Sequence, residues 1–369
     1  MSVSPERLHA LLAVMIAFSQ KASVALVADL ESAFGPIESW WRARHSTLGA
    51  TPKWSMLRAR ELDHQAEATH HALIKCRFDA IETALVPELR SLPDPTPLLF
   101  VRGTAAWSQP AVAIVGARRA SAYGLRVTRN MAEGLALARV PVLSGLARGI
   151  DAAAHRATLA AGGITFAFLG SGPDRPYPAE HRGLMEEIAA SGLIVTEFLP
   201  GTPPLPHHFP RRNRILAAAA SAVLLVESRL RSGSLSTVKW GADLGREVLV
   251  VPGPVDHELG EGPLQLLKEG ATPVGSVADV LASIGMTQLT DSVTSQNTIV
   301  LSLEETSLIT LCGGEGVDLD ILIASMESDP ASVLGVILDL EGRGILERME
   351  DGRSFRRKNS AATRAGRVP

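Results

Sequence analysis

The sequence predicts an α/β protein whose central part is a doubly wound, mostly parallel β-sheet. Short runs of Val, Ile, Leu and Ala recur along the chain without the alternation of a half-exposed strand. Such continuous runs are typical of parallel strands that helices cover on both faces. Each run ends in a loop rich in small residues or proline, and the chain between the runs has room for helices. The predicted strands are Ala111–Val115, Val140–Leu143, Thr165–Leu169, Leu193–Thr196, Ala222–Val226 and Glu247–Val251.

Smaller parts are predicted to flank this sheet. Residues 1–60 have the pattern of a small helical domain. Residues 61–97 indicate a helical connector that ends in a proline-rich boundary before the α/β domain at 98–285. Residues 286–300 are polar and predict a linker, and residues 359–369 predict a disordered tail.

The segment 301–358 has the pattern of a winged helix. Helices are predicted near Leu303–Leu311, Leu319–Met326 and Pro330–Leu340. Asp351-Gly352 is a typical hairpin turn between two short strands.

Charge and cysteine content limit the class of protein. The net charge of −3 excludes a generally basic nucleic-acid-binding protein, so any polyanion site must be a local cluster. The two cysteines, Cys76 and Cys312, belong to no recognisable disulfide or metal motif, which favours the reducing cytoplasm. The apolar run Leu11–Phe18 is too short to span a membrane and lacks the flanks of a signal peptide.

The sequence lacks the motifs of the common nucleotide-using enzymes. It contains no GxxxxGK[ST] loop and no GxGxxG followed by an acidic residue, so ATP hydrolysis and NAD binding are not expected. It has neither a His/Cys/Glu cluster with metal-ligand spacing nor a nucleophile elbow. We therefore expect a binding protein without cofactor or metal, rather than an enzyme.

The loop after the first predicted strand is Gly116-Ala117-Arg118-Arg119. A glycine allows the backbone to turn sharply and to approach a ligand closely. Arg118 and Arg119 offer planar guanidinium groups that suit phosphate. The alternative is an ordinary strand–helix turn with two solvated arginines, and this motif alone does not decide between them.

The second loop brings Ser144, Gly145 and Arg148 directly before a predicted helix. Loops of this kind present backbone N–H groups that suit anions. Asp151 is expected to be the N-cap of that helix rather than a catalytic residue. His155 lies four residues later on the same helical face and is expected to serve packing rather than proton transfer.

Two further loops have the same small-residue character. Gly170 belongs to a Gly-Ser-Gly turn, and Tyr177 in the proline-rich segment after it is interpreted as a shape element rather than a base contact. Ser232, Gly233 and Ser234 precede another helix and offer hydroxyl and N–H donors to an anion. Capping of that helix is the alternative role, and both roles can coexist.

The densest positive charge is at Phe209-Pro210-Arg211-Arg212-Asn213-Arg214, where a helix is predicted to begin. Cations at a helix N-terminus oppose the helix dipole, so their placement favours a bound anion. Phe209 could stack one base.

The spacing within this cluster predicts that its arginine side chains point in two different directions. Arg211 and Arg214 are three residues apart and share a helical face. Arg212 points elsewhere and is expected to pair with a carboxylate such as that of Glu197 or Glu227.

These motifs, in this order, resemble the DprA/Smf family of DNA-processing proteins. The resemblance covers about Leu98 to Val274 and rests on IVGARRASAYG, LSGLARGIDAAAH, GSGPDRPYP, FPRRNRI, VESRLRSGSLST and GREVLVVPGPV. It implies an extended Rossmann-like domain that binds single-stranded DNA, forms a homodimer and delivers the DNA to a RecA-type recombinase in natural transformation. It also implies that the protein has no established enzymatic activity. The flanks resemble the sterile-alpha-motif-like and winged-helix domains found in some members.

The resemblance also implies a set of DNA-binding residues. Those carried over by motif are Arg118, Ser144, Arg148, Gly170, Arg211, Arg212, Asn213, Arg214, Ser232 and Ser234. The loop interpretation above adds Gly116, Arg119, Gly145, Phe209 and Gly233. Val238, Trp240 and Leu264 depart from the residues usual in the family at the rim of the site.

Two other classes of protein stay open at this point. One is a nucleotide phosphoribohydrolase on a related Rossmann-like fold, although its PGGxGT loop has no match in SGSLST or VPGPV. The other is a protein-interaction module formed by the C-terminal part, because Pro330–Leu340 contains no Lys or Arg for major-groove contact.

Overall fold

The computed structural model separates the chain into two compact units, residues 1–294 and 295–369. Within them it describes residues 3–19, 22–48, 54, 56–57, 61–107, 110–286, 303–312, 316–326, 329–342, 345–349 and 353–357. The predicted linker, the Asp351-Gly352 turn and the predicted tail at 359–369 lie outside the described residues, apart from Met286.

The first unit is built around a nine-stranded sheet in the order β1-β2-β6-β5-β4-β3-β7-β8-β9. Neighbours from β6 to β9 in that order are parallel, whereas β2 pairs antiparallel with both β1 and β6. The strands are β1 Asp79–Glu82, β2 Leu98–Gly103, β3 Val112–Val115, β4 Val142–Ser144, β5 Thr165–Phe168, β6 Leu193–Thr196, β7 Ala222–Leu225, β8 Glu247–Val250 and β9 Thr272–Pro273. All six predicted strands are present, which confirms the doubly wound, mostly parallel fold.

Helices connect the parallel strands, and apolar side chains fill both faces of the sheet. These helices are α6 Ala122–Leu137, α7 Ile150–Ala160, α8 Arg182–Ser191, α9 His208–Ala219, α10 Ser234–Asp243 and α11 Glu261–Lys268, and a further helix, α12 Val277–Ser283, follows β9. The strands β1, β2 and β9 were not predicted. Strand β1 lies in the stretch expected to be a helical connector; its side chains are partly or fully exposed, so it lacks the continuous apolar run of the central strands.

Five α-helices precede the sheet in the described residues. They are α1 Pro5–Phe18, α2 Val24–Phe34, α3 Ile37–Trp40, α4 Arg44–Thr47 and α5 Glu61–Cys76. Leu11, Leu30 and Trp41 from this part share one apolar cluster with Phe100 and Ile194 of the sheet. The helices therefore pack on the sheet as part of the same compact unit.

In its described residues the second unit contains three helices and a three-stranded antiparallel sheet in the order β10-β12-β11. Its elements are α13 Leu303–Leu311, β10 Val317–Asp318, α14 Leu319–Ala324, α15 Pro330–Gly342, β11 Leu346–Arg348 and β12 Ser354–Arg357. Leu322, Ile337 and Phe355 are fully buried in its core. The three predicted helices are confirmed; the narrower assignments of a winged helix here and a sterile-alpha-motif-like domain at the N-terminus stay predictions.

Candidate nucleic-acid interface

The loops that follow β3 and β7 meet the beginning of α9 at one edge of the sheet. Because β3 and β7 are parallel neighbours, their carboxyl ends lie side by side. The loops enclose an open cavity of about 630 Å³. Predicted site residues that line it are Gly116, Arg118, Arg119, Phe209, Arg212, Asn213, Ser232, Gly233 and Ser234. We call this cavity the arginine pocket.

The rim of the arginine pocket carries exposed guanidinium groups. Within the described residues, Arg118, Arg119 and Arg231 are exposed and have no carboxylate partner. The Arg118 guanidinium lies 5.4 Å from the centre of the Phe209 ring. Arg229 is also exposed and pairs with Glu258, which lines the same cavity. The predicted set omitted Arg229 and Arg231, although both stand within three residues of the predicted Ser232.

Arg212 and Asn213 form the floor of the pocket and bind its loops together. The buried Arg212 guanidinium donates to the carbonyl oxygens of Gly145, at 2.8 Å, and Phe168. The Asn213 amide donates to the carbonyl of Gly233 at 3.2 Å. Burial lowers the pKa of Arg212 to about 10, and the nearby Asp151 opposes that effect, so Arg212 stays charged at neutral pH.

The expectation that Arg212 pairs with Glu197 or Glu227 is wrong. Arg211 and Arg214 contact Glu197 instead, at 3.1 Å and 2.6 Å, and the Glu197 side chain is fully buried. The two arginines do share a face, as predicted, and that face is turned to β6. The single negative charge of Glu197 therefore offsets part of the positive charge that opposes the dipole of α9, so these two arginines are weaker evidence for a bound anion than the sequence suggested.

Asp151 is not the N-cap of its helix. The N-cap of α7 is Gly149, and the Asp151 carboxylate accepts hydrogen bonds from the backbone N–H groups of Gly145 and Ala147, at 3.1 and 3.3 Å. Burial raises the pKa of Asp151, against the effect of Arg212. A Cβ at Gly145 would lie 2.6 Å from an Arg212 nitrogen and 2.7 Å from an Asp151 oxygen. Only glycine leaves space for these two groups at this loop.

Three further predicted residues, Ser144, Gly170 and Arg148, do not line the pocket. The buried Ser144 hydroxyl donates to the Ile114 carbonyl at 2.6 Å, so it joins β4 to β3. A Cβ at Gly170 would lie 2.7 Å from the Phe209 ring, so Gly170 leaves room for that ring. Arg148 pairs with Glu180 and lines a separate groove.

His155 has the packing role that was predicted. It is fully buried, and its Nδ1 lies 2.7 Å from the Thr165 hydroxyl. That hydroxyl donates to the Val142 carbonyl at 2.6 Å, so Nδ1 must be the donor to it. The lone pair on Nε2 has no partner among the described residues.

The composition of the pocket suits an anion, although the carboxyl groups of Asp151 and Glu258 also line it. It offers guanidinium groups, serine hydroxyls and one aromatic ring. No group of three His, Cys, Asp or Glu residues in the described part of the chain could hold a metal ion. No helix there has the length and apolar character needed to cross a membrane. Fold and site together define an α/β protein with a cationic pocket at the carboxyl edge of its parallel sheet.

The family model of DNA recombination-mediator protein A matches residues 81–285, and the chain belongs to this family. The chain is 42% identical to a DNA processing protein DprA of Mycobacterium tuberculosis over 247 residues, which are 66% of this chain and 63% of that protein. It thus matches slightly less than two thirds of that relative's length. It is 36% identical to the protein Smf of Escherichia coli over 276 residues, 72% of this chain and 73% of the relative. These matches confirm the resemblance to the DprA/Smf family.

Two solved structures are similar to the structure of this chain. DNA processing protein A from Streptococcus pneumoniae superposes with a TM-score of 0.64 at 30% identity, covering 76% of this chain and 98% of the other. DNA processing protein A from Helicobacter pylori, which was described for its single-stranded DNA binding mode, gives a TM-score of 0.52 at 26% identity. That match covers 56% of this chain and 95% of the other.

Proposed function

We propose that this protein binds single-stranded DNA in the arginine pocket. The observation that carries the proposal is the convergence of four exposed arginines, Arg118, Arg119, Arg229 and Arg231, on one cavity in a chain whose net charge is −3. Such a local cluster attracts a polyanion, whereas the acidic remainder does not. The Helicobacter pylori relative, described for binding single-stranded DNA, supports the same ligand.

The proposed contacts are mainly to phosphate, so binding has little sequence preference. Guanidinium groups and the hydroxyls of Ser232 and Ser234 contact the backbone, and the Phe209 ring stacks one base. A cavity bordered by loops admits a flexible single strand more readily than a stiff duplex.

The biological role that we propose follows the relatives. The protein acts in the cytoplasm, forms a homodimer through its α/β domain, and delivers single-stranded DNA to a RecA-type recombinase during transformation and recombination. Sedimentation of the purified protein tests the dimer. Recombinase filament assembly on DNA coated with a single-strand-binding protein, with and without this protein, tests the delivery.

An enzymatic role as a nucleotide phosphoribohydrolase is not favoured. Glu227, the acidic candidate next to the loops, is 2% exposed and accepts hydrogen bonds from the backbone and hydroxyl of Ser121. A carboxylate engaged in this way is poorly available to a nucleotide. Release of free base from nucleoside monophosphates, abolished by Glu227→Gln, would restore the enzymatic alternative.

Titration of the full chain with labelled oligo-dT at several salt concentrations tests the proposal. Single strands should bind more tightly than duplex of the same length. Arg118→Ala and Arg231→Ala should each reduce the slope of log K against log salt by about 0.7, because each removes one phosphate contact. Arg129→Ala, an exposed arginine of α6 outside the pocket, is the matched control and should leave the slope unchanged. Equal binding of duplex, or unchanged slopes in both pocket variants, would contradict the proposal.

A further inference from the structure

A second groove lies next to the arginine pocket and takes no part in the function proposed so far. Its volume is about 730 Å³, and its walls come from the proline-rich segment after β5 and from the start of α8. Its polar and aromatic lining residues include Arg148, Arg175, Tyr177, Glu180 and Arg182. We call it the tyrosine groove.

An aromatic pair separates the two cavities. Phe209 lines the arginine pocket and Tyr177 lines the tyrosine groove. Their ring centres are 5.4 Å apart and their planes are tilted by 55°. The Tyr177 side chain is not covered by this contact, since the residue is 38% exposed. Aromatic surface is therefore continuous from one cavity to the other.

The two cavities differ in charge, and the difference favours a phosphate in the arginine pocket and a base in the tyrosine groove. In the tyrosine groove, Arg148 is paired with Glu180, and Arg175 lies 3.4 Å from the carboxylate of Asp174. With Arg182, the tyrosine groove is lined by three arginines and two carboxylates, whereas the arginine pocket is lined by five arginines and two carboxylates. The tyrosine groove is thus less suited to phosphate, and its exposed ring suits the flat face of a base.

We propose that the tyrosine groove is a second nucleotide subsite, in which the Tyr177 ring stacks a base of the same strand whose phosphates occupy the arginine pocket. This inference rests on the proposed single-stranded DNA binding. It assigns to Tyr177 a base contact in place of the shape role expected from the sequence. Arg148 borders the subsite beside Tyr177, with which it interacts, and holds Glu180 to the wall of the groove.

Stacking of a base on an aromatic side chain contributes enough to be measured. It changes affinity by roughly five- to 150-fold per base in single-strand-binding proteins. Because the Tyr177 ring is partly covered by Phe209, we expect the lower part of that range, about tenfold. The effect does not depend on salt, since no counterion is released by a stacked base.

The test is a length series of oligo-dT with wild type, Tyr177→Phe and Tyr177→Leu. Wild type and Tyr177→Phe should show an affinity step of about tenfold when the strand becomes long enough to reach the groove. Tyr177→Leu should lack that step and should bind the shortest strands as tightly as wild type. An abasic nucleotide at the position that reaches the groove should remove the step from wild type and leave Tyr177→Leu unchanged.

Each alternative has a distinct outcome. If Tyr177→Leu weakens binding of every length equally, Tyr177 only supports Phe209 and the subsite is disproved. If wild type shows no step, or the step survives in Tyr177→Leu, the strand does not use this groove. If wild type binds no oligo-dT of any length, the proposed function itself fails, which is separate from failure of the subsite.

Discussion

Two groups of arginines lie near the same edge of the sheet and differ in their surroundings. Arg118 and Arg231 are exposed and have no carboxylate partner within the described chain. Arg212 and Arg214 are buried and donate to protein acceptors, namely backbone carbonyls, the Asn213 side-chain oxygen and the Glu197 carboxylate. In the sequence both groups have the same signature, which is an arginine near the start of a helix. The difference shows that an arginine available to a ligand is defined by its partners and not by its motif.

The most severe test of this comparison is to remove the carboxylate that accepts hydrogen bonds from the buried arginines. Glu197→Ala leaves Arg211 and Arg214 without their carboxylate, and breaking a buried ion pair costs about 3–5 kcal/mol of the free energy of unfolding. Urea denaturation at pH 7 measures it. Glu258→Gln, which breaks the exposed Arg229–Glu258 pair, is the control and should change stability by no more than about 1 kcal/mol. Equal losses in the two variants would contradict the distinction between the groups.

The fold could be predicted from the sequence because its determinants are local. Continuous apolar runs predicted the six central strands, and glycine and arginine marked the loops at their carboxyl ends. The hydrogen-bond partners of the arginines could not be predicted from the sequence. Two acceptors of Arg212 are the backbone carbonyls of Gly145 and Phe168, which every residue carries and which no sequence pattern reveals; a third is the side-chain oxygen of the adjacent Asn213. Glu197 follows a different strand, so its meeting with Arg214 depends on the order of strands in the sheet.

A buried histidine extends the same comparison, because the lone pair on Nε2 of His155 accepts no hydrogen bond from the described residues. Burial lowers the pKa of His155 to about 3 from an ordinary value of 6.5. The unfolded chain therefore binds the proton more tightly, so the stability contributed by neutral His155 is complete above about pH 6.5 and is lost as the pH falls toward 3. At pH 5 we expect a loss of about 2 kcal/mol relative to pH 7.

Urea unfolding of wild type and His155→Phe at both pH values measures this loss. Phenylalanine keeps the ring and cannot be protonated, so the variant should lose about 2 kcal/mol less than wild type between pH 7 and pH 5. The same pH dependence in both proteins would show that His155 tolerates a proton in the core.

Substitutions of the exposed and of the buried arginines should also have different effects on DNA binding. Arg118→Ala should weaken oligo-dT binding about fivefold and reduce the salt slope by about 0.7, with no change in the free energy of unfolding. Arg214→Ala should destabilise the protein and leave the salt slope unchanged, because its guanidinium already neutralises Glu197. A reduced slope for Arg214→Ala would place it in contact with phosphate and restore the role that the sequence suggested.

Arg229 stands between the two groups, because it is exposed like Arg118 yet paired like Arg214. Its partner Glu258 lines the arginine pocket, so this carboxylate occupies the guanidinium that a phosphate would otherwise contact. Glu258→Gln should tighten oligo-dT binding about two- to threefold and steepen the salt slope, since one more arginine is free to release a counterion. Arg229→Ala combined with Glu258→Gln should abolish that gain. If Glu258→Gln tightens binding equally with and without Arg229, the carboxylate acts only through long-range repulsion, and the pair does not limit access to the pocket.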